Sequence, residues 1–367
     1  MARVSSLSPA LAPALALLLG GCASVPGGAG PEPAAKASYT AVDVAAQGET
    51  EPVGTSNADA ADDPAIWRNA ADPAASLVLG TDKKAGLYVY GLDGKVRDFA
   101  LAGALNNVDL REVRRADGAV TVLVGASDRS DRGIAKIALF MLDGARAKLT
   151  SLGAQAFLPA GHAPAEAYGF CMGGPLELGE LARAYVVLKD GEVAESRLVE
   201  RGAAIGAQYV RSVKLATQSE GCVVDDAAHR LYVAEEDVAI WRFDLRTAQP
   251  PAQAIARVGK RDGLVDDIEG LAIGHQGGRT LLVASSQGDS AYVIFDADTG
   301  ANLGRFRIRG GAIGGTSDTD GIELSLGDFG PAWPGGLFVA QDGDNAPHAQ
   351  NFKLVSWDAV RTALGMD

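Results

Sequence analysis

Carboxylates, or in one case a pair of asparagines, open six apolar stretches at intervals along this chain. The motifs are Asp62-Asp63-Pro64-Ala65-Ile66-Trp67, Asn106-Asn107-Val108-Asp109-Leu110, Glu166-Ala167-Tyr168-Gly169-Phe170, Glu220-Gly221-Cys222-Val223-Val224, Asp267-Ile268-Glu269-Gly270-Leu271 and Asp320-Gly321-Ile322-Glu323-Leu324. A second polar or acidic cluster closes the apolar run that follows each one: LVLGTDKK from Leu77, TVLVGASDRSDRG from Thr121, AYVVLKDGE from Ala184, RLYVAEED from Arg230, TLLVASSQGDS from Thr280 and GLFVAQDGDN from Gly336. Oxygen donors in this number suit hard cations, and carboxylates on irregular loops favour calcium. Zinc and non-haem iron call for nitrogen and sulfur ligands, and the chain has only 4 His and 3 Cys. Bound cations would reverse the field of an acidic mouth toward an anionic substrate.

The elements that must position these residues are hairpins. Most of the closing runs lead into a second strand-like run, as in GLYVYGL, IALFML, AIWRFDL and AYVIFDA. Hairpins recurring every roughly 45–60 residues read as propeller blades, not as one sheet. If the motif strand and the next strand pair antiparallel, the start of one lies beside the end of the other. Both polar sets then ring one face of an all-β, six-bladed β-propeller. Trp67, Trp241, Phe243, Phe295 and Phe338 alternate with other apolar residues and are expected between blades. Asp225-Asp226 and Asp296 to Asp298 fall at turns of the opposite end.

The chain of 367 residues can be one propeller domain, with 47% hydrophobic and 22% charged residues. A net charge of −13 excludes the basic footprint of a nucleic-acid binder. The N-terminus is expected to be a targeting segment: Arg3, then a short apolar run from Ala10 to Leu19 broken by Pro13. Leu19-Gly20-Gly21-Cys22-Ala23-Ser24 resembles a bacterial lipoprotein signal with Cys22 as the lipidated residue. The expected organisation is a signal segment over 1–22, an Ala/Pro/Gly-rich linker over 23–38 and the propeller over 39–367, exported and held at a membrane by its lipid alone, facing the periplasm or cell surface. Cys171 and Cys222 remain in the mature part, either joined in a disulfide-permissive compartment or as two buried thiols.

The ordered set DDPAIW, LNNVDLR, EAYGF, SEGCVVDD, AEEDVAIWRF, DIEGLAI, ASSQGDSAYVIF, GTSDTDGIEL and FVAQDGDN…NFKLVSW, from about residue 57 to 357, strongly resembles the β-propeller phytases, or alkaline 3-phytases. The resemblance implies a monomeric, calcium-loaded propeller that removes phosphate from myo-inositol hexakisphosphate, taken as its calcium complex, with one phosphate site that cleaves and one that grips. Carried over by motif, the metal-binding carboxylates are Asp62, Asp63, Glu220, Glu235, Glu236, Asp267, Glu269 and Asp318, with Asp320, Glu323 and Asp342 as weaker candidates. The phosphate-binding set is Lys83, Lys84, Arg129, Tyr168 and Lys189. Catalysis falls to Glu220, Glu236, Glu269, Asp318, Lys83 and Arg129. Glu323 departs from the family pattern, where Asp is common, and reaches one methylene further; the pattern around Lys189 is looser.

Other phosphatase chemistries lack their residues. No Arg-His-Gly triplet or phosphate-binding Gly-Lys-Ser/Thr loop occurs, neither Cys171 nor Cys222 precedes an Arg at the phosphatase spacing, and His162, His229, His275 and His348 are scattered. Two rivals are a calcium-dependent propeller lactonase or esterase, which would not need Lys83, Lys84, Arg129 and Lys189, and a non-catalytic surface propeller that binds a partner.

Overall fold

Five repeats fold into four antiparallel strands and the sixth into three, because their apolar residues allow only that layering. The computed structural model describes residues 37–366 apart from 57, 58 and 203; the expected signal, Cys22 and nearly all of the linker lie outside the described residues. Second strands such as Leu77–Asp82 and Ala182–Leu188 are buried end to end. A continuous apolar run covered on both faces belongs inside a stack of sheets. Fourth strands such as Val96–Leu101 and Lys148–Ala156 alternate or stay exposed, as outer edges do.

Six sheets result, over residues 61–101, 105–156, 167–214, 219–257, 268–309 and 322–356, here the first to sixth blades. Their innermost strands contact one another in a closed cycle from the first blade to the sixth and back. Six apolar clusters fill the gaps between neighbouring blades, with Phe243, Phe295 and Phe338 inside them and Trp67 and Trp241 at their margins. The ring is sealed by the N-terminal segment: Gly48–Glu49 pairs antiparallel with Asn351–Ser356 of the sixth blade, and Val42–Ala45 adds a parallel edge to the fifth. The helix Trp357–Leu364 packs Trp357 and Val360 against the cluster between the fifth and sixth blades. Among the described residues no helix is long and apolar enough to cross a membrane.

The registers put the motif set and the closing set at one end. Ala61 faces Asp82, Leu105 faces Asp128, Ala167 faces Leu188, Ser219 faces Glu235 and Ile268 faces Ser286. A register shift follows each of these first pairs, between Ala61/Pro64, Leu105/Val108, Ala167/Gly169, Ser219/Cys222 and Ile268/Leu271. Five inner strands therefore begin in a bulge, a device that re-aims side chains at a rim. Asp62-Asp63, Asn106-Asn107, Tyr168, Glu220 and Glu269 all sit in these bulges.

Cys171 and Cys222 form a disulfide, Cα–Cα 5.7 Å, joining the inner strands of the third and fourth blades below the rim.

Candidate active site

Bulged inner strands bring their carboxylates together near the axis. Gly221 lets this happen: a Cβ there would lie 2.1 Å from the Glu269 carbonyl oxygen of the next blade. Gly321 is equally confined, its Cβ position lying 2.2 Å from Asp63 Oδ1. The recurring acid–Gly pairs are thus a carboxylate followed by the only residue thin enough for this approach. Glu220 and Glu269 from two such pairs converge with Glu236, which begins the turn after the second strand Arg230–Glu235, with one oxygen of each within 4.8 Å of the others. All three are buried.

Glu236 Oε1, Glu269 Oε2 and both Asp62 oxygens accept no hydrogen bond, although Lys83 Nζ lies 3.0 Å from Asp62 Oδ1. Burial is the largest influence on Glu220, Glu236 and Glu269 and pushes their pKa values up. Glu220 rises well above the carboxylate range, with the charges of Asp62 and Asp320 adding to burial, and so does Glu269, with Glu220 and Glu236 adding. Glu236 is pushed up to about 7, with Asp267 and Asp237 opposing a Gln218 hydrogen bond of 2.8 Å. Asp320 is also raised to about 7 by burial and Asp62, against the pull of Lys83. Buried, mutually repelling oxygens without donors must hold either protons or cations. The donor set is oxygen throughout, so these residues fit a hard divalent ion.

The cationic candidates stand around this cluster. Lys83 Nζ is 2.7 Å from Asp320 Oδ2 and also pairs with Asp59. Burial pulls its pKa down, but Asp62, Asp320 and Glu220 more than offset it, so Lys83 stays charged. Lys84 is more exposed, 3.7 Å from Asp59. Arg129 donates through Nε and Nη2 to Glu166 Oε1 at 2.9 and 2.5 Å and through Nη1 to Asn106 Oδ1 at 2.7 Å. The Tyr168 ring carries Arg129 on it at 5.0 Å and Lys189 at 4.7 Å. Burial and the charges of Glu220 and Glu269 hold the Tyr168 phenol protonated. An anionic group docking here would meet several donors, among them planar guanidinium N–H groups.

Other candidates are placed apart from the trio. Glu235 spends its oxygens on the protein: Oε1 accepts from Ala216 N, Thr217 N and Thr217 Oγ1 at 3.0, 2.8 and 2.7 Å, and Oε2 from Trp241 Nε1 at 2.7 Å. Asp342 lies 3.2 Å from the buried Lys353 ammonium, in a network with Glu49 that ties the N-terminal segment to the sixth blade. Asp63 and Glu323 line a cavity of about 20 Å³ within the ring, beside Asp109 and the disulfide. Asp63 accepts from Val108 N at 2.9 Å, and Glu323 is pushed up to about 8 by burial and Asp109. Asp267, in a left-handed conformation, adds negative charge to Glu236 and Glu269. Asp318 is exposed on the loop before the sixth blade, its amide donating to Ser290 Oγ at 3.2 Å.

Four residues not named from the sequence as metal, phosphate or catalytic candidates also belong here: Asp59 on Lys83, Glu166 and Asn106 on Arg129, and Gln287, which donates to Asp320 Oδ1 at 2.6 Å. Asn106 also donates to Glu220 Oε1 at 2.6 Å. Asn106 and Gln287 carry no charge to advertise them, although both lie within the repeated motifs.

Fold and site together define a six-bladed propeller whose rim carries a buried cluster of carboxylate oxygens beside a set of lysine and arginine side chains. The family model described as phytase matches residues 8–367. The chain is 40% identical over 334 residues to the 3-phytase of Bacillus subtilis (strain 168), covering 88% of this chain and 85% of that protein. A chain in a solved structure titled "Crystal Structure of Mitotic Checkpoint Complex" aligns over 90% of this chain and 85% of its own length at 13% identity and a TM-score of 0.46, too distant to carry an argument. The chain belongs to the phytase family.

Proposed function

We propose that this chain is a calcium-dependent 3-phytase-type phosphoric monoester hydrolase that releases phosphate from myo-inositol hexakisphosphate. The observation that carries the calcium reading is the buried Glu220–Glu236–Glu269 trio with unpartnered oxygens on Glu236 and Glu269. Those three, with Asp62 and Asp320, would hold calcium. Calcium bound there would cancel the acidic field that otherwise repels a polyphosphate and would acidify a water for attack on phosphorus.

The chain's own residues do the rest. Arg129 and Lys189, stacked on Tyr168, hold non-bridging phosphate oxygens. Lys83 and Lys84 add charge from the first blade. Tyr168, kept protonated, donates and does not repel. Phosphoryl transfer needs mainly positioning and charge stabilisation, so no covalent nucleophile is called for.

We further propose that the protein is exported, processed before Cys22 and held at a membrane by lipid on that residue, with 23–38 as tether, and that it acts as a monomer. The Cys171–Cys222 disulfide supports an oxidising compartment.

The test is phosphate release from phytate with calcium or with a chelator. The expected result is turnover that chelation abolishes and Glu220→Gln removes. Full turnover in chelator would overturn the calcium reading. Metabolic labelling with a fatty acid, lost in Cys22→Ser, tests the anchor.

A further inference from the structure

One fully buried amide connects the two halves of the site. Asn106 has no exposed surface, and its side chain faces two opposite demands. Its Nδ2 donates to Glu220 Oε1 at 2.6 Å, and its Oδ1 accepts from Arg129 Nη1 at 2.7 Å. Arg129 lies over the Tyr168 ring at 5.0 Å, and burial and the charge of Glu220 weigh on that phenol. The result is a closed circuit: Glu220, Asn106, Arg129, Tyr168 and back to Glu220. It spans the second, third and fourth blades.

Only a carboxamide meets both demands. It presents a donor at one end and an acceptor at the other, rigidly spaced. A carboxylate would set two anions face to face, and an aliphatic side chain would leave Glu220 and Arg129 each short of a partner. Arg129 is held on its other side by Glu166, so three of its five N–H donors are engaged by the protein and two remain for a ligand. The direction of those two is set jointly by Asn106 and Glu166.

We propose that Asn106 is a positioning residue that fixes the phosphate-gripping edge of Arg129 relative to the cation-holding carboxylate Glu220. It makes grip and cleavage one coupled geometry. This rests on the reading of Arg129 as a phosphate ligand and Glu220 as a cation ligand, and the experiment separates the two. A second consequence is directional. Asn106→Asp keeps the volume and the acceptor toward Arg129 but reverses the contact with Glu220. Asn106→Leu removes both.

The experiment is a double-mutant cycle between Asn106→Leu and Arg129→Ala, read as equilibrium binding of the non-hydrolysable polyanion inositol hexasulfate by calorimetry, alongside KM and kcat on phytate and melting temperature. Each single variant is expected to weaken binding about tenfold, and the double variant by no more than about twofold beyond the worse single, because both remove one shared contact. Asn106→Asp is expected to leave KM within about threefold while kcat falls at least about thirtyfold, a split that general loosening does not produce. Multiplicative losses in the cycle, or equal changes of KM and kcat in Asn106→Asp, overturn the proposal. Should Asn106→Leu fail to fold, the Asn106→Asp split decides alone. Unchanged binding in Arg129→Ala would instead overturn the reading of Arg129.

Discussion

Gly221→Ala tests whether the site depends on the closeness of adjacent inner strands. A methyl group at Gly221 would lie 2.1 Å from the Glu269 carbonyl oxygen, 2.8 Å from its carbon and 3.1 Å from Gly270 Cα. All three are backbone atoms, so no side chain can turn aside. An ordinary carbon–oxygen contact needs about 3.3 Å, so the strands must part by on the order of 1 Å. Overpacking of this kind costs about 1–3 kcal/mol. The larger effect is on chemistry, because the two strands carry Glu220 and Glu269, whose oxygens lie within 4.8 Å of each other and of Glu236. A misplacement of about 1 Å in a catalytic constellation costs on the order of 100-fold in rate. The assay is phosphate release from phytate with saturating calcium, paired with thermal melting. Gly311→Ala is the control, since its added methyl meets nothing within 4 Å. The expected result is a modest fall in melting temperature for Gly221→Ala with a rate loss of about two orders of magnitude, and no change for the control. Gly221→Ala with wild-type rate and stability would refute the claim that this contact sets the site.

Glu235 and Glu236 should separate cleanly although they are neighbours. Glu235→Ala unties the loop at Ala216 and Thr217 and the Trp241 indole, and should cost at least about 2 kcal/mol of stability while the folded fraction keeps its turnover; Glu236→Gln should lose turnover with little change in melting temperature. Calcium affinity, measured by calorimetry, should fall as pH drops from 8 to 6, because Glu236 and Asp320, raised to about 7, must release protons before a cation binds; an affinity flat across that range would contradict the site. The same raised values mean that the chelated protein favours its protonated folded form, so its melting temperature should decline as pH rises from about 4.5 through 7, and millimolar calcium should restore it at pH 8. Reducing Cys171–Cys222, whose sequence separation is 51, releases a loop whose closure contributes about 4 kcal/mol on a chain-entropy account, so Cys222→Ser should melt several degrees lower.

Much of this protein was legible in its sequence. Apolar runs long enough to be buried on both faces, repeated six times, required stacked sheets, and antiparallel pairing then placed the DDP, EG and DG motifs beside the TDKK and AEED ends. Charge announces itself in sequence, and the family resemblance then singled out Asp62, Glu220, Glu236 and Glu269 among the carboxylates and Lys83, Arg129 and Lys189 among the cations. The acid–Gly pairing was visible too, but its cause was not. Only the packed ring shows that the Gly admits the neighbouring backbone.

What the tertiary structure alone decided is which of several similar residues share a volume. Glu235 and Glu236 read alike as letters, but one ties a loop to Trp241 and the other enters the buried trio, because Glu235 ends the strand Arg230–Glu235 and Glu236 begins the turn after it. Bulges at the starts of five inner strands change which face Asp62 and Asp63 address, and no sequence signal marks a shift that depends on the partner strand. Asn106 becomes a bridge only when the second, third and fourth blades meet around it. Chain order fixes the blades and their chemistry, whereas contacts between residues 114 positions apart, as between Asn106 and Glu220, arise only when the ring closes.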